Sequence, residues 1–389
     1  MRYFIIFVKI FSMKKIVLLL LMLLACGYFA EAQISGSRTA DETFSYAYSK
    51  YKDGFYVDAI IELNKVIELK PEYADAYFYR AMSYNMIGKY QEAISNFSSA
   101  IHYNNKSSDF YLNRGITYNT ISKNKEALSD CDTAIMLDIK NSHAFFTRGY
   151  LKYLLKKELG AIEDYTKAIE INEGYTDAYY NRGLAYWKTL NYLPAVADFT
   201  KVIALSPKDY RAFVNRGMTY SNLKKYQEAL NDYDSAIEIK ADYALAYYNK
   251  GFTEYAMKDF TSAEMDYSKA IALQDDYRDA YYNRGLTRYE LKKYGDAISD
   301  YTYLLSKNQK DFDTYLNRGV CYERLEKYED AINDYTKAIE IKPENLKAYN
   351  NRGMAKYSLK DFNGACDDWK KAMSMGSKIA DANYKQFCK

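Results

Sequence analysis

The sequence is poor in the residues that most site chemistry requires. Its 389 residues include 2 His, 2 Trp, 4 Pro and 5 Cys. His102 and His143 stand apart from each other, so neither a histidine metal site nor an imidazole acid–base pair is expected. Four prolines exclude a proline-rich linker architecture. Charge of one sign is also lacking: beyond residue 32, basic and acidic side chains are equal in number and the net charge is zero. Nucleic acid needs a positive field to displace its counterions, and this chain has none to offer. What it does hold in excess is tyrosine, 45 residues, several times the ordinary share.

Residues 1–32 read as an export signal. Met13-Lys14-Lys15 forms a basic start, with Met13 an alternative to Met1 as initiator; an apolar run from Ile16 to Leu24 follows, then Ala30-Glu31-Ala32 as a small-x-small cleavage site. The run from Ile16 to Ala30 falls short of the roughly 20 residues a bilayer span needs, so removal is expected. A second reading competes, because Leu23-Leu24-Ala25-Cys26 resembles a bacterial lipobox, in which Cys26 would be lipidated. The residues after it, Gly27-Tyr28-Phe29-Ala30, are not a polar tether. The favoured expectation is therefore a soluble exported protein, periplasmic or secreted. The alternative is an outer-membrane lipoprotein that meets the membrane only through Cys26.

A 34-residue step brings Asn-Arg-Gly into register at 113–115, 181–183, 215–217, 283–285, 317–319 and 351–353, with Thr-Arg-Gly at 147–149 and Asn-Lys-Gly at 249–251. Extending the frame back to Ala40 gives ten repeats over residues 40–379, preceded by a short segment, 33–39, and followed by a terminal helix, 380–389. With the Gly or Ala of this motif numbered position 8, position 20 is Ala in all ten repeats, from Ala59 to Ala365. Position 24 is mostly aromatic and position 27 mostly Ala. Each repeat reads as two amphipathic helices joined by a turn near positions 14–17, with the small residues at 8 and 20 allowing close approach.

This pattern resembles the tetratricopeptide repeat (TPR), whose aromatic and small residues at positions 4, 8, 11, 20, 24 and 27 are largely met here. Two departures are Pro at position 32 only at Pro71, Pro207 and Pro343, and Arg or Lys at position 7 where the family usually has Leu. The resemblance implies an all-α, right-handed superhelical solenoid ending in a capping helix, and a non-enzymatic scaffold whose concave face takes a protein or peptide partner. Family geometry puts positions 2, 5, 9, 12 and 13 on that face. The Lys at 5 and Asn at 9 of chaperone-binding members are absent, so a chaperone tail is not the expected ligand.

Three further rows run through the repeats. Arg or Lys at position 7 accompanies Asp at position 23 in eight consecutive repeats, Arg114 with Asp130 through Arg352 with Asp368, which reads as an internal ion-pair ladder. Position 6 is Asn in seven repeats: Asn113, Asn181, Asn215, Asn249, Asn283, Asn317 and Asn351. Amide side chains can hold an extended backbone whatever its sequence. The row is similar to the asparagine ladder inside the repeat region of O-GlcNAc transferases, and the other reading is that each Asn bonds a neighbouring helix. The third row is aromatic. About half of the tyrosines, 23, fall at positions 4, 11, 17 and 24, where a ring fills the helix pair. Each repeat carries Tyr at position 11 or 12 and never both. Tyr51, Tyr153, Tyr255, Tyr289 and Tyr357 at position 12, Trp187 beside them in repeat 5, and Tyr180, Tyr248 and Tyr282 at position 5 are the candidate groove aromatics.

Lysines at the turns, such as Lys89, Lys225 and Lys293, read as solvated helix ends favoured by the dipole at a helix C-terminus. Cys366 and Cys388 lie near enough in sequence for adjacent helices and are expected to form a disulfide in an oxidising compartment. Cys131 reads as a small core hydrophobe. No nucleophile elbow, ligand-spaced His/Cys set or phosphate-cradling glycine loop occurs, so no enzyme, cofactor or metal is expected.

Overall fold

The computed structural model describes residues 38–388. Residues 1–37, with the expected export signal and Cys26, lie outside the described residues. From Ala40 onward the chain is a run of helices, 13 residues then 14 in each of the first nine repeats and 13 then 13 in the tenth, with no strand among the described residues. Repeat 1 shows the plan: α1 (Ala40–Lys52) occupies positions 1–13 and α2 (Tyr56–Leu69) occupies positions 17–30. Repeat 2 continues with Ala74–Met86 and Tyr90–Tyr103, and the pairing holds to Leu346–Ser358 and Phe362–Ser374 in repeat 10. The chain divides into two compact bodies, one ending at Glu173 with repeats 1–4 and one starting at Gly174 with repeats 5–10 and the terminal helix.

The turn inside each repeat is a backbone device. In all ten, the N–H of position 16 donates to the carbonyl of position 11, as in Lys225 to Tyr220 at 2.9 Å and Lys293 to Arg288 at 2.8 Å. This is the six-to-one bond of a Schellman cap, and it requires a left-handed residue at position 15. Position 15 has positive φ in every repeat, but it is Gly only at Gly54 and Gly88; Ser122, Lys156, Leu190, Lys224, Lys258, Lys292, Glu326 and Lys360 hold the same angle with a side chain. The turn lysines at position 16 are at the same time N-caps of the second helices, and they make no side-chain cap. Their exposure agrees with the solvated reading. The dipole rationale does not, because a cation at a helix N-terminus faces the wrong end.

Within a repeat the helices meet as the small residues dictate. All ten position-20 alanines are fully buried, and the aromatic at position 24 lies over the position-8 residue of the first helix. A Cβ on Gly217 would stand 2.7 Å from Tyr233 Cε1, and one on Gly319 2.7 Å from Tyr335 Cε1. Glycine is thus required there by contact, not by backbone angle. Between several repeats the seam is alanine on alanine, the position-27 residue packing on position 3 of the next first helix, as Ala236 on Ala246 and Ala270 on Ala280. The terminal helix, Lys378–Phe387, begins two residues earlier than the repeat frame implies, capped by Ser377 after a left-handed Gly376. Ala380 thereby takes the buried slot of position 3 against Ala372.

Candidate peptide-binding face

The position-7 guanidinium joins both helices of its own repeat to the repeat before it. Arg114, Arg148, Arg182, Arg216, Arg284, Arg318 and Arg352 each grip the position-23 aspartate bidentately at 2.6–3.1 Å. In several repeats the remaining nitrogen donates to position 25 of the preceding repeat, as Arg216 to Thr200 and Arg284 to Ser268, both at 3.0 Å. Burial lifts the Asp198, Asp232 and Asp334 carboxyls above the ordinary aspartate value despite the guanidinium, so desolvation offsets much of the attraction. The ladder fixes how the helices meet more than it adds stability. These cations are spent inside the body and do not line a ligand face.

In the seven repeats with an Arg–Asp pair, position 11 serves the same seam. Where it is Tyr, the ring receives the guanidinium, as Tyr118, Tyr186, Tyr220 and Tyr322 do at 5.7–5.9 Å. Where it is Lys or Arg, a second cation reaches the aspartate, as Lys152 to Asp164 at 2.7 Å and Arg288 to Asp300 at 2.8 Å. Repeats 1 and 7 depart from both: in repeat 1 Tyr46 takes position 7 and Lys50 lies over the Tyr46 and Phe55 rings, and in repeat 7 Lys250 replaces the arginine and Glu254 sits at position 11. Burial, with Asp266 beside it, pushes the Glu254 carboxyl up to about 8.

The position-12 aromatics pack across the turn against position 17. Tyr51 meets Tyr56, Tyr255 meets Phe260, Tyr289 meets Tyr294 and Tyr357 meets Phe362, with ring centroids 5.2–5.8 Å apart. Tyr357 also touches Trp369 and Phe387. Tyr153 lies beside the buried Tyr165. All are half-buried, so they offer an edge and not a free ring. Trp187 differs. With Met218, Tyr226, Asn249 and Phe252 it lines a cavity of about 300 Å³ opened where position 12 of repeat 6 is only Ser221.

The asparagine row and the position-5 tyrosines form one structure. Asn113, Asn181, Asn215 and Asn249 donate Nδ2 to the carbonyl four residues back in their own helix. Asn215, Asn283 and Asn317 also donate to a hydroxyl of the preceding repeat, those of Tyr180, Tyr248 and Tyr282 at 2.8, 3.0 and 2.9 Å. Asn351 lies near the Tyr335 hydroxyl, which donates to Glu323 at 2.8 Å. Every tyrosine at position 5 is therefore stapled to the next repeat by an asparagine, and the amide donors at Asn215 are both used. What that residue keeps for a ligand is Oδ1, which has no partner among the described residues. At position 9 three apolar residues are exposed, Ile116 at 39%, Tyr150 at 37% and Phe252 at 51%, and the other seven are half-buried.

Cys366 and Cys388 are joined by a disulfide that ties the last repeat to the terminal helix across 22 residues. Cys131 and Cys321 are buried, and burial pushes both thiols up to about 12. Sequence reasoning missed the hydroxyl at position 25 and the alanine at position 3, although both recur at the repeat step and could have been found by it.

Among the described residues no helix is long and apolar enough to cross a membrane. No curated protein matches the sequence. The C-terminal part of a TPR repeat-containing protein from Cytophaga hutchinsonii is similar in structure, with 21% identity, 61% of this chain and 97% of that one covered, and a TM-score of 0.53. A tetratricopeptide repeat protein from Parabacteroides merdae, at 22% identity, covers 64% of this chain and 98% of its own with a TM-score of 0.46. YrrB, described as a TPR protein with an unusual peptide-binding site, is 24% identical over 48% of this chain and 97% of its own, with a TM-score of 0.45. Models of the tetratricopeptide repeat match residues 62–95, 176–209, 210–243, 248–311 and 312–345, and a TPR repeat model matches 149–189. Together they cover more than half of the sequence, and the chain belongs to the tetratricopeptide repeat family.

Proposed function

We propose that this protein is a non-enzymatic interaction scaffold of the bacterial envelope, exported by its first 32 residues, which holds an extended segment or helix of a partner protein against the faces of its first helices. Repeats of this family build protein-interaction scaffolds. The observation that carries the finer reading is the apolar position 9, exposed at Ile116 and Tyr150 in the first body and at Phe252 in the second. Apolar area left open in this way favours burial by a partner. The Cys366–Cys388 bond supports an oxidising location, periplasmic or secreted, since such bonds persist there. Attachment to the outer membrane through a lipidated Cys26 is the alternative, and metabolic labelling with a fatty acid, compared between the natural chain and Cys26→Ser, separates the two.

The test of the groove is a pair of charge insertions, Ile116→Glu and Phe252→Glu, in protein recovered from cells with its bound partners. Both side chains are exposed, so folding should persist while partner recovery falls at least tenfold. Undiminished recovery from both variants would refute the assignment of this face.

A further inference from the structure

The repeats share a register relation on this face: the position-2 residue of one repeat lies by the position-5 ring of the repeat before it. In repeat 6 the chain itself uses this slot for a cation. Arg211 places its guanidinium 5.2 Å from the centroid of the Tyr180 ring and binds Asp209 through two nitrogens at 3.0 and 2.8 Å. An arginine is thus seated between an aromatic face and a carboxylate. In repeats 2 and 3, as with Asp279 and Asp313 in repeats 8 and 9, the same register carries the opposite charge. Asp75 and Asp109 occupy position 2 of repeats 2 and 3, and the position-5 rings before them are Phe44 and Phe78. With Tyr48 and Tyr79 these residues line a cavity of about 380 Å³ that has no basic side chain in its lining. Neither carboxylate has a hydrogen-bond or ion-pair partner among the described residues.

We infer that this cavity is a subsite for a lysine or arginine side chain carried by an extended segment of the partner protein. The inference rests on the groove reading above and adds the chemistry of one contact. The rings supply quadrupole faces and the two aspartates supply charge, the pairing that holds a cation on an aromatic surface. The rings draw an ammonium from within the chain as well: Lys52 Nζ lies 5.8 Å from the Tyr48 centroid, on a residue outside the cavity lining. Asp75 and Asp109 are exposed, so they can be changed without touching the core. The slot seats its own arginine in repeats 5 and 6 and leaves room for another molecule's in repeats 1 to 3.

The experiment uses the full processed chain and two fluorescein-labelled dodecapeptides, one alternating lysine with serine and one alternating norleucine with serine, titrated by anisotropy at physiological ionic strength. Norleucine keeps the aliphatic stem and removes the charge. The lysine peptide should bind at least tenfold more tightly. The double variant Asp75→Asn, Asp109→Asn should erase most of that preference, while the charge-matched control Asp58→Asn, Glu68→Gln on the outer helix of repeat 1 should keep it. Equal binding of the two peptides, or equal losses in the two double variants, would overturn the cation subsite and leave the groove standing. Failure of both peptides to bind would overturn the subsite and count against the groove as well.

Discussion

The left-handed turn at position 15 makes a prediction that runs against the habit of regarding lysine as harmless on a surface. Eight of the ten turns hold a side chain at φ between 59° and 66°. An L-residue in that region costs about 1–2 kcal/mol, because Cβ crowds the following carbonyl. Glycine avoids that cost but gives up about 0.5–1 kcal/mol to the greater freedom of the unfolded chain. The difference favours glycine, so Lys224→Gly should stabilise the protein by about 0.5–1 kcal/mol. The combination of Lys224→Gly, Lys258→Gly, Lys292→Gly and Lys360→Gly should add nearly independently, to about 2–4 kcal/mol, since the four turns lie in separate repeats. Lys224→Ala is the control, removing the amine and the stem while keeping Cβ, and it should change little. The reverse change is the cleanest arm: a Cβ on Gly88, at φ +77°, would meet nothing within 4 Å, so Gly88→Ala isolates the backbone cost and should destabilise by about 1 kcal/mol. Urea unfolding followed by circular dichroism reads all of these. If Lys224→Gly and Lys224→Ala shift the midpoint equally, the strain attributed to position 15 does not exist.

Three other perturbations follow from the packing. Gly217→Ala should lose about 1–3 kcal/mol by overpacking against the buried Tyr233, despite the better helix propensity of alanine; adding Tyr233→Leu should recover much of it, since repeat 1 pairs Ala47 with Leu63, and a melt with no rescue would contradict the contact. Glu254 holds its proton in the folded state up to pH of about 8, above the unfolded value of 4.5, so its contribution is complete below about pH 4.5 and is lost as pH rises through 8. Thermal melts at pH 5, 7 and 9 should fall more steeply for the natural protein than for Glu254→Gln, and parallel curves would refute the assignment. Reduction of the Cys366–Cys388 bond, which closes a 22-residue loop, should cost about 3 kcal/mol and be felt first in the terminal helix, as hydrogen exchange of that helix with and without dithiothreitol will show.

The repeat frame carried the architecture because it writes the same contact many times. Ala at position 20 and Gly at position 8 announced a close helix pair, and the pair is there in every repeat. The position-7 and position-23 charges announced an internal ladder, and the bidentate pairs are within one repeat. What that reading lacked was direction. It could not tell that the third nitrogen of Arg216 reaches back to Thr200, because a hydroxyl at position 25 looks like any solvated serine or threonine. The alternation of Tyr between 11 and 12 looked like a choice of face toward a ligand. In the seven repeats with an Arg–Asp pair position 11 instead serves that seam, where either a ring or a second cation completes the contact. The turn was legible as a turn, yet its left-handed residue was hidden because lysine, not glycine, occupies it in five repeats. The asparagine row kept both readings open, and Asn215 shows why: its donors bind the protein and its acceptor has no partner among the described residues.

The central claim is that the first-helix face, and not the outer helices, receives the partner. Large apolar side chains are exposed on both: Phe252 at 51% on the first-helix face, and Leu193 at 68% on an outer helix. A photo-reactive benzoylphenylalanine placed at each position in turn, activated in living cells and followed by mass spectrometry of the adducts, measures which one touches another protein. The account predicts a discrete partner adduct from Ile116 and Phe252 and none from Leu193. A partner adduct from Leu193 with none from the other two would place the interaction on the opposite face and contradict the account.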